Sequence, residues 1–252
     1  MKKGIDRIKR YIFSFFIFSL IFCLIASLLI FTSVAYENRG DKETALSGDE
    51  DSLVVVIDAG HGGEDGGASF EGVYEKELNL AVALALDEIF RTAGIKTVMT
   101  RSEDILLYDK SSDYHGHKKV QDLATRRRIA EEYENAIFIS IHMNSFPEEK
   151  YSGLQVYYSK NDPLSRTVAE GIQASSKLFL SPDNSRRAKA ADSSIYLLDR
   201  LKCPAVMIEC GFLSNTRDRA LLCDTEYRKA LALCIASSVI EQIKLSDLSR
   251  GK

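Results

Sequence analysis

The segment VVVIDAGHGGEDGG, residues 54–67, places a histidine, His61, in a glycine-rich loop directly after an apolar run. A short apolar run that stops at glycines predicts a buried strand that enters a loop at its carboxyl end. Open α/β sheets bind their ligands at that end of the strands. The sequence therefore positions His61 for metal binding or for acid–base chemistry.

A dinucleotide-binding loop is the competing interpretation, because Gly60 and Gly62 follow the strand with the G-x-G spacing. The third position of that fingerprint is Asp65 rather than glycine, and the next helical pattern starts only near Glu77. The details of the loop therefore disfavour a nucleotide site.

Two further apolar runs end at side chains that can ionise or bind a metal. The run AIFISIH ends at His142, and the run AVMIE ends at Glu209. A charged side chain that closes a buried strand is costly unless it is paired or bound to a metal. Three such strand ends in one sheet predict a shared cleft. Glu75, which lies between the glycine loop and the first helical pattern, is a fourth candidate.

Two histidines and a carboxylate, with a fourth position left for water, are a common ligand set of catalytic zinc. His61, His142 and Glu75 match this set, and Glu209 is then the free carboxylate that could take a proton from the water. Structural roles stay open for all four side chains. His61 could bond the loop backbone, and His142 could be a satisfied histidine at a sheet edge. Glu75 could be a first-turn helix charge, and Glu209 could pair with an arginine such as Arg187.

Strands alternate with amphipathic helices over residues 53–245, which predicts a single α/β domain with helices on both faces of the sheet. A helix is predicted over 122–134 and a short strand over 195–198. Residues 102–121 are polar and are predicted to form a surface loop or insertion. His115 and His117 within this segment are expected to be solvated rather than to bind metal.

Composition limits the class of protein. A chain of 252 residues, 45% hydrophobic and 27% charged, suits one sizeable soluble domain with an appendage. The net charge of −3 combines about +4 on residues 1–10 with about −7 on the rest. An acidic body argues against nucleic acid as a partner. The four cysteines of the body fit no metal-binding spacing, so free thiols are expected.

The appendage is predicted to be a membrane element. Residues 11–36 carry no charge and are mostly Phe, Ile and Leu, which is long enough to span a bilayer. The basic residues 1–10 should stay in the cytoplasm and place the body outside. Because SVA at 33–35 resembles a cleavage site, the segment is either a signal anchor or a long signal peptide. Residues 37–52 are predicted to be a flexible tether and 246–252 a tail.

The chain resembles the zinc-dependent N-acetylmuramoyl-L-alanine amidases of bacteria. The resemblance runs from about Leu53 to Ile243 and depends on several blocks in the order of the family. These blocks are IDAGHGG, EKELNL, TR at 100–101, RRRIA, SIHMNS, NSRRAKAA, IYLL and PAVMIECGFLSN. The compact body behind a short anchor is most similar to the germination-specific amidases of endospore formers.

The resemblance implies a mixed, largely parallel six-stranded sheet flanked by helices. It also implies one zinc ion per chain, bound by His61, Glu75 and His142, with Glu209 as the catalytic carboxylate. Asn144 and Arg187 are candidate donors to the substrate or to the oxyanion. The implied substrate is peptidoglycan, cut between the lactyl group of N-acetylmuramic acid and L-alanine of the stem peptide. In spore cortex this cut is the first step towards muramic-δ-lactam.

Two other classes of protein stay open at this point. One is a zinc peptidase that cuts within stem peptides, and the other is a non-catalytic wall-binding domain with the same fold. The implied location is outside the cytoplasm, either anchored or secreted, such as the space between the forespore membranes. A regulatory protein partner is a further expectation, with residues 102–121 as its docking segment. Residues 146–152 are too few for a helix that plugs the cleft, so an open cleft is predicted.

Overall fold

The computed structural model describes residues 52–111 and 117–250. The basic segment, the apolar segment 11–36, the tether up to residue 51 and His115 lie outside the described residues. None of the helices within the described ranges is both long enough and apolar enough to cross a membrane.

The described residues form an alternating series of strands and helices. The strands are β1 (Val54–Ala59), β2 (Ser69–Phe70), β3 (Val73–Tyr74), β4 (Lys96–Met99), β5 (Ala136–Asn144), β6 (Gln155–Tyr158), β7 (Lys189–Ala190) and β8 (Ala205–Phe212). The helices are α1 (Glu75–Thr92), α2 (Lys118–Glu131), α3 (Pro163–Phe179), α4 (Tyr196–Arg200), α5 (Thr216–Cys223) and α6 (Thr225–Arg250). Helix α6 therefore continues through most of the segment assigned above to a tail.

Six of these strands form one sheet in the order β4-β1-β5-β8-β6-β7. Neighbouring strands run parallel except β6 and β8, which pair antiparallel. Strands β2 and β3 form a separate antiparallel pair. The predicted mixed, largely parallel six-stranded sheet is confirmed.

Both faces of the sheet are covered, which explains why its central strands are continuous apolar runs. Alternate residues of β1 enter two different hydrophobic clusters. Val55 and Ile57 pack with α1, α3 and α6, whereas Val54 and Val56 pack with α2 and α4. The carboxyl ends of β1, β5 and β8 consequently meet at one edge of the sheet, and His142 pairs in register with Glu209.

Two local predictions are corrected by the structure. The predicted strand at 195–198 is wrong, because these residues begin helix α4, whose Leu197 and Leu198 are buried against the sheet. The helix predicted over 122–134 begins earlier, at Lys118, so the segment 102–121 is not a loop throughout. Lys118 and Lys119 form ion pairs with Glu64 and Asp65 of the glycine loop, and these long-range contacts favour the earlier start.

Candidate metal centre

Three side chains that can ligate a metal converge at the carboxyl edge of the sheet. The ligand atoms of His61, Glu75 and His142 lie within 4.8 Å of one another. Oε1 of Glu75 lies 2.9 Å from Nδ1 of His142 and 3.3 Å from Nε2 of His61. The three residues come from the loop after β1, the first turn of α1 and the end of β5. The structure thus brings together the predicted ligand set.

The Glu75 carboxylate is held in a fixed orientation. Its Oε2 accepts a hydrogen bond of 2.8 Å from the Ala68 amide. Its Oε1 accepts bonds from the Met143 amide at 3.1 Å and from Nδ2 of Asn79 at 3.3 Å. These hydrogen bonds fix the Glu75 carboxylate to the glycine loop, to α1 and to β5. Glu75 is therefore more than a favourable charge in the first turn of a helix.

The loop can approach the cluster closely only because small residues line it. A Cβ atom on Gly60 would lie 2.3 Å from the His142 ring, and one on Gly67 would lie 2.6 Å from Oε2 of Glu75. His61 itself has a φ of 61°, in the left-handed region that residues other than glycine rarely adopt. Backbone conformations of this kind persist where the surrounding structure imposes them.

Two buried arginines impose the path of this loop. Arg101 donates from Nε to the Ala59 carbonyl at 2.8 Å and from Nη2 to the Gly60 carbonyl at 3.0 Å. Arg126 donates from Nη1 to the Ala59 carbonyl and from Nη2 to the His61 carbonyl, each at 2.7 Å. Three successive carbonyls are therefore bound by guanidinium groups. We call Arg101 and Arg126 the arginine clamp.

The clamp was not assigned a role from the sequence, although both arginines lie in blocks that carry the resemblance. Arg126 is itself compensated by two carboxylates, Oδ1 of Asp58 at 2.6 Å and Oδ2 of Asp122 at 2.8 Å. Burial alone would raise the pKa of Asp58, but Arg126 and the hydroxyls of Ser140 and Thr100 outweigh it and lower that pKa. Asp58 therefore stays ionised at neutral pH.

Replacing Arg126 by methionine is expected to destabilise the fold by about 3–5 kcal/mol, the usual cost of leaving a buried charge without its partner. Urea unfolding of the variant measures this loss. Arg128→Met is the matched control, because Arg128 lies exposed on the same helix and pairs with Glu132 at the surface. A loss below about 1 kcal/mol is expected for the control. Equal stability of the two variants would contradict the role given to Arg126.

Glu209 lies next to this cluster with an unpaired carboxyl group. Its Oε2 is buried and, among the described residues, has no hydrogen-bond partner. Burial and the nearby Glu75 raise the pKa of Glu209, His142 and His61 lower it, and the net value is about 7. The alternative pairing with Arg187 is not present. This carboxyl group can therefore hold or release a proton near neutral pH.

The charges around His61 favour a cation in the centre. Burial lowers the pKa of the imidazole, but the carboxylates of Asp65 and Glu75 outweigh burial and raise it to about 9. Oδ2 of Asp65 lies 2.9 Å from Nδ1 of His61, within ion-pair distance but without hydrogen-bond geometry. Burial alone would raise the pKa of Glu75, but His142 and His61 outweigh burial and bring that pKa well below its usual range. The site thus keeps a negative carboxylate between two nitrogen donors.

The two candidate substrate donors lie outside this cluster. Asn144 ends β5 two residues after His142 and pairs with Phe212 of β8. Arg187 lies exposed in the turn before β7, and its carbonyl accepts a 2.5 Å hydrogen bond from Nε2 of Gln155. Their roles towards a substrate stay predictions.

The segment after β5 bears on access to the centre. Residues 146–152 contain no helix, and the side chains of His61 and His142 are 16% and 20% exposed. The described part of the segment 102–121 contacts the glycine loop through Asp104, which accepts hydrogen bonds of 2.7 Å from the Gly63 amide and from Nζ of Lys76. This segment therefore supports the loop. That the cleft is open to a glycan strand stays a prediction.

The donor set fits zinc. Zinc binds imidazole nitrogen and carboxylate oxygen, and its catalytic sites use three protein ligands. Two imidazoles and one oriented carboxylate converge here. Oε2 of Glu209, the residue paired in register with His142, has no hydrogen-bond partner within the described part of the chain.

Comparisons with known proteins show which proteins this chain is similar to in sequence and fold. Residues 55–241 match the family described as N-acetylmuramoyl-L-alanine amidase. The germination-specific N-acetylmuramoyl-L-alanine amidase of Bacillus subtilis is 32% identical over 187 residues, which cover 74% of this chain and 78% of the relative. The structure of the CwlD amidase from Clostridioides difficile, in complex with the GerS lipoprotein, is similar with a TM-score of 0.72 and 34% identity. That match covers 76% of this chain and 98% of CwlD. The catalytic domain of CwlV from Bacillus (Paenibacillus) polymyxa is 29% identical with a TM-score of 0.63 over 76% of this chain and 98% of its own.

Proposed function

The chain belongs to the N-acetylmuramoyl-L-alanine amidase family, and on that premise we propose that His61, Glu75, His142 and Glu209 hydrolyse the amide between N-acetylmuramic acid and L-alanine in peptidoglycan. The observation that carries this assignment is the convergence of the three ligating side chains beside the unpaired carboxyl group of Glu209. A domain that only binds the cell wall has no chemical need for this arrangement.

In this proposal His61, Glu75 and His142 hold one zinc ion per chain. When bound, zinc supplies Lewis-acid chemistry, which polarises an amide carbonyl and makes water more acidic. The hydrogen bonds to Glu75 fix the carboxylate ligand, and the arginine clamp fixes the backbone of His61. These contacts orient the ligands before any substrate arrives.

Glu209 moves the proton. A water molecule attacks the carbonyl carbon of the amide, and the Glu209 carboxylate accepts a proton from that water as the oxygen–carbon bond forms. The protonated carboxyl group then donates this proton to the nitrogen of L-alanine as the carbon–nitrogen bond breaks. The products are the free lactyl carboxylate and a stem peptide with a free amine. A pKa of about 7 suits a group that must both accept and donate.

The biological setting belongs to the proposal as well. The relative from Bacillus subtilis is named for germination, and we place this chain in the same process, acting on spore cortex outside the cytoplasm. Anchoring through residues 11–36, or secretion after their removal, would bring the body to that location. Since the CwlD amidase is in complex with a lipoprotein, a protein partner for this chain is part of the same proposal.

Mass spectrometry of purified spore peptidoglycan after digestion by the zinc-loaded protein tests the reaction. We expect intact stem peptides with a free L-alanine amine and glycan strands that have lost their peptides. Glu209→Gln is the inactive control. Peptide fragments cut between stem residues would instead identify a stem peptidase, and unchanged peptidoglycan would identify a binding domain.

A further inference from the structure

A basic cleft lies along β6 and β8, where its lining residue Gln155 pairs in register with Glu209. It has a volume of about 590 Å³ and is bounded by residues 150–155, by 181–189 and by the region around α5. Five basic side chains line it: Lys150, Arg186, Arg187, Lys189 and Arg217. Two acidic side chains, Asp183 and Asp218, also line it. We call this feature the basic cleft.

Basic side chains outnumber acidic ones in the described lining of the basic cleft, by five to two. Among the described residues, none of the five basic side chains forms an ion pair. Oδ2 of Asp218 already accepts hydrogen bonds from the amides of Gly153 and Phe212, at 2.7 and 2.9 Å. Other basic residues of the surface are paired with acidic ones, such as Arg127 with Glu131 and Arg166 with Glu170, although some exposed lysines are not. Uncompensated cations in a chain of net charge −3 favour an anionic ligand.

The wall of the cleft is held in place by hydrogen bonds. Buried Asn184 donates from Nδ2 to the Leu154 carbonyl at 2.9 Å, and its Oδ1 accepts from the Arg186 amide at 3.0 Å. Arg186 in turn donates from Nε to the Ser152 carbonyl at 2.8 Å and lies 4.6 Å from the centre of the Phe212 ring. A cleft with a fixed wall binds a ligand with less loss of entropy.

The cleft lies within reach of a peptide whose first amide sits at the metal centre. Phe212 is three residues beyond Glu209 on β8, a distance of about 10 Å along a strand. Gln155, which lines the cleft, pairs in register with Glu209 on the neighbouring strand β8. An extended peptide of three residues also spans about 10 Å. The second and third residues of a stem peptide could therefore reach the cleft.

We propose that the basic cleft binds the carboxylates of the stem peptide beyond the scissile amide, and that it makes the enzyme prefer stems whose carboxylates are free over stems in which they are amidated. This inference rests on the proposed amidase function, since it names the part of that substrate which the cleft recognises. Several charge-assisted contacts to one acidic peptide supply both affinity and register.

The test compares a triple variant of the cleft, Lys150→Gln/Lys189→Gln/Arg217→Gln, with the parent protein on muropeptides that have free or amidated stem carboxylates. These side chains are exposed, so equal melting temperatures are expected. On the free-carboxylate substrate we expect KM to rise roughly tenfold with kcat within about twofold, as the sum of three modest contacts. The KM of the parent protein should be higher on the amidated substrate than on the free-carboxylate substrate. On the amidated substrate, the KM of the triple variant should equal that of the parent protein. Lys160→Gln/Lys202→Gln/Lys244→Gln is the control for the change in net charge, and its KM should stay that of the parent.

Calorimetric titration with the free stem peptide measures the cleft without catalysis. Weaker binding to the triple variant than to the control variant supports the proposal, whereas equal binding overturns it. An equal rise of KM on free and amidated substrates would also overturn it, and so would binding of a glycerol-phosphate polymer but not of the stem peptide. If the parent protein hydrolyses no peptidoglycan, the proposed function fails, and the titration still decides what the cleft binds.

Discussion

Alanine in place of both His61 and His142 is expected to leave the protein without zinc and without measurable hydrolysis of peptidoglycan. The double variant loses both nitrogen donors and retains only the Glu75 carboxylate, and one carboxylate does not hold zinc in a three-ligand site. The fold should survive, because the arginine clamp binds backbone carbonyls that the substitutions do not change. Elemental analysis of the purified protein measures the metal content, and digestion of peptidoglycan measures the activity.

His117→Ala is the control for this experiment. His117 is exposed at the start of α2 and lies outside the ligand set, so zinc content and activity should both remain. Full metal content in the His61→Ala/His142→Ala variant would refute the assignment of the ligands. Loss of zinc in the control would place the metal elsewhere.

Glu209→Gln is expected to lower the rate of hydrolysis without removing the metal. Glutamine keeps the shape of the side chain but cannot accept a proton at neutral pH, so kcat should fall by at least about 10²–10⁴-fold. The zinc content should stay at one ion per chain, since Glu209 is outside the ligand set. Paired measurements of kcat and metal content on the same preparation check both halves of this expectation.

Glu148→Gln provides the matched control, because Glu148 is exposed in the loop after β5 and the same charge is removed there. Its kcat should be within about twofold of the parent value, as is usual for surface positions away from the reacting atoms. Near-normal activity of Glu209→Gln would move the role of the base to another residue. Loss of zinc from Glu209→Gln would make Glu209 a ligand.

The strand-end argument succeeded because parallel strands bring their carboxyl ends to one edge, so a local pattern also determines long-range proximity. His61, His142 and Glu209 were found by this rule, and the structure brings them together. Glu75 was also found, although only the structure reveals the three hydrogen bonds that orient its carboxylate.

The arginine clamp could not be predicted by the same reasoning. Arg101 and Arg126 bind backbone carbonyls, and every residue has a carbonyl, so no residue type in the sequence marks the acceptor. Asp58 belongs to the same network, because it pairs with Arg126 from the end of β1. A buried arginine is detectable in a sequence only when an acidic partner lies at a recognisable spacing, as Asp122 does four residues before Arg126.

The incorrect prediction of a strand at 195–198 has a different cause. Four apolar residues are too few for periodicity to distinguish a strand from one turn of helix. Leu197 and Leu198 are buried in either conformation, and contacts with the sheet, which lie far away in the sequence, select the helix. The extra turn of α2 was missed for a similar reason, since it depends on acidic residues about 54 positions earlier.

The arginine clamp also uncouples metal binding from folding, two properties that are coupled in small zinc proteins. In a zinc finger the free energy of metal binding is the free energy of folding, so chelation unfolds the chain. Here, guanidinium groups rather than an ion determine the path of the loop that carries His61. Removal of the ion should therefore be reversible and should leave the protein folded but inactive. The concentration of zinc would then set the fraction of the protein that is active. The lifetime of the protein in the cell would depend on the arginine clamp.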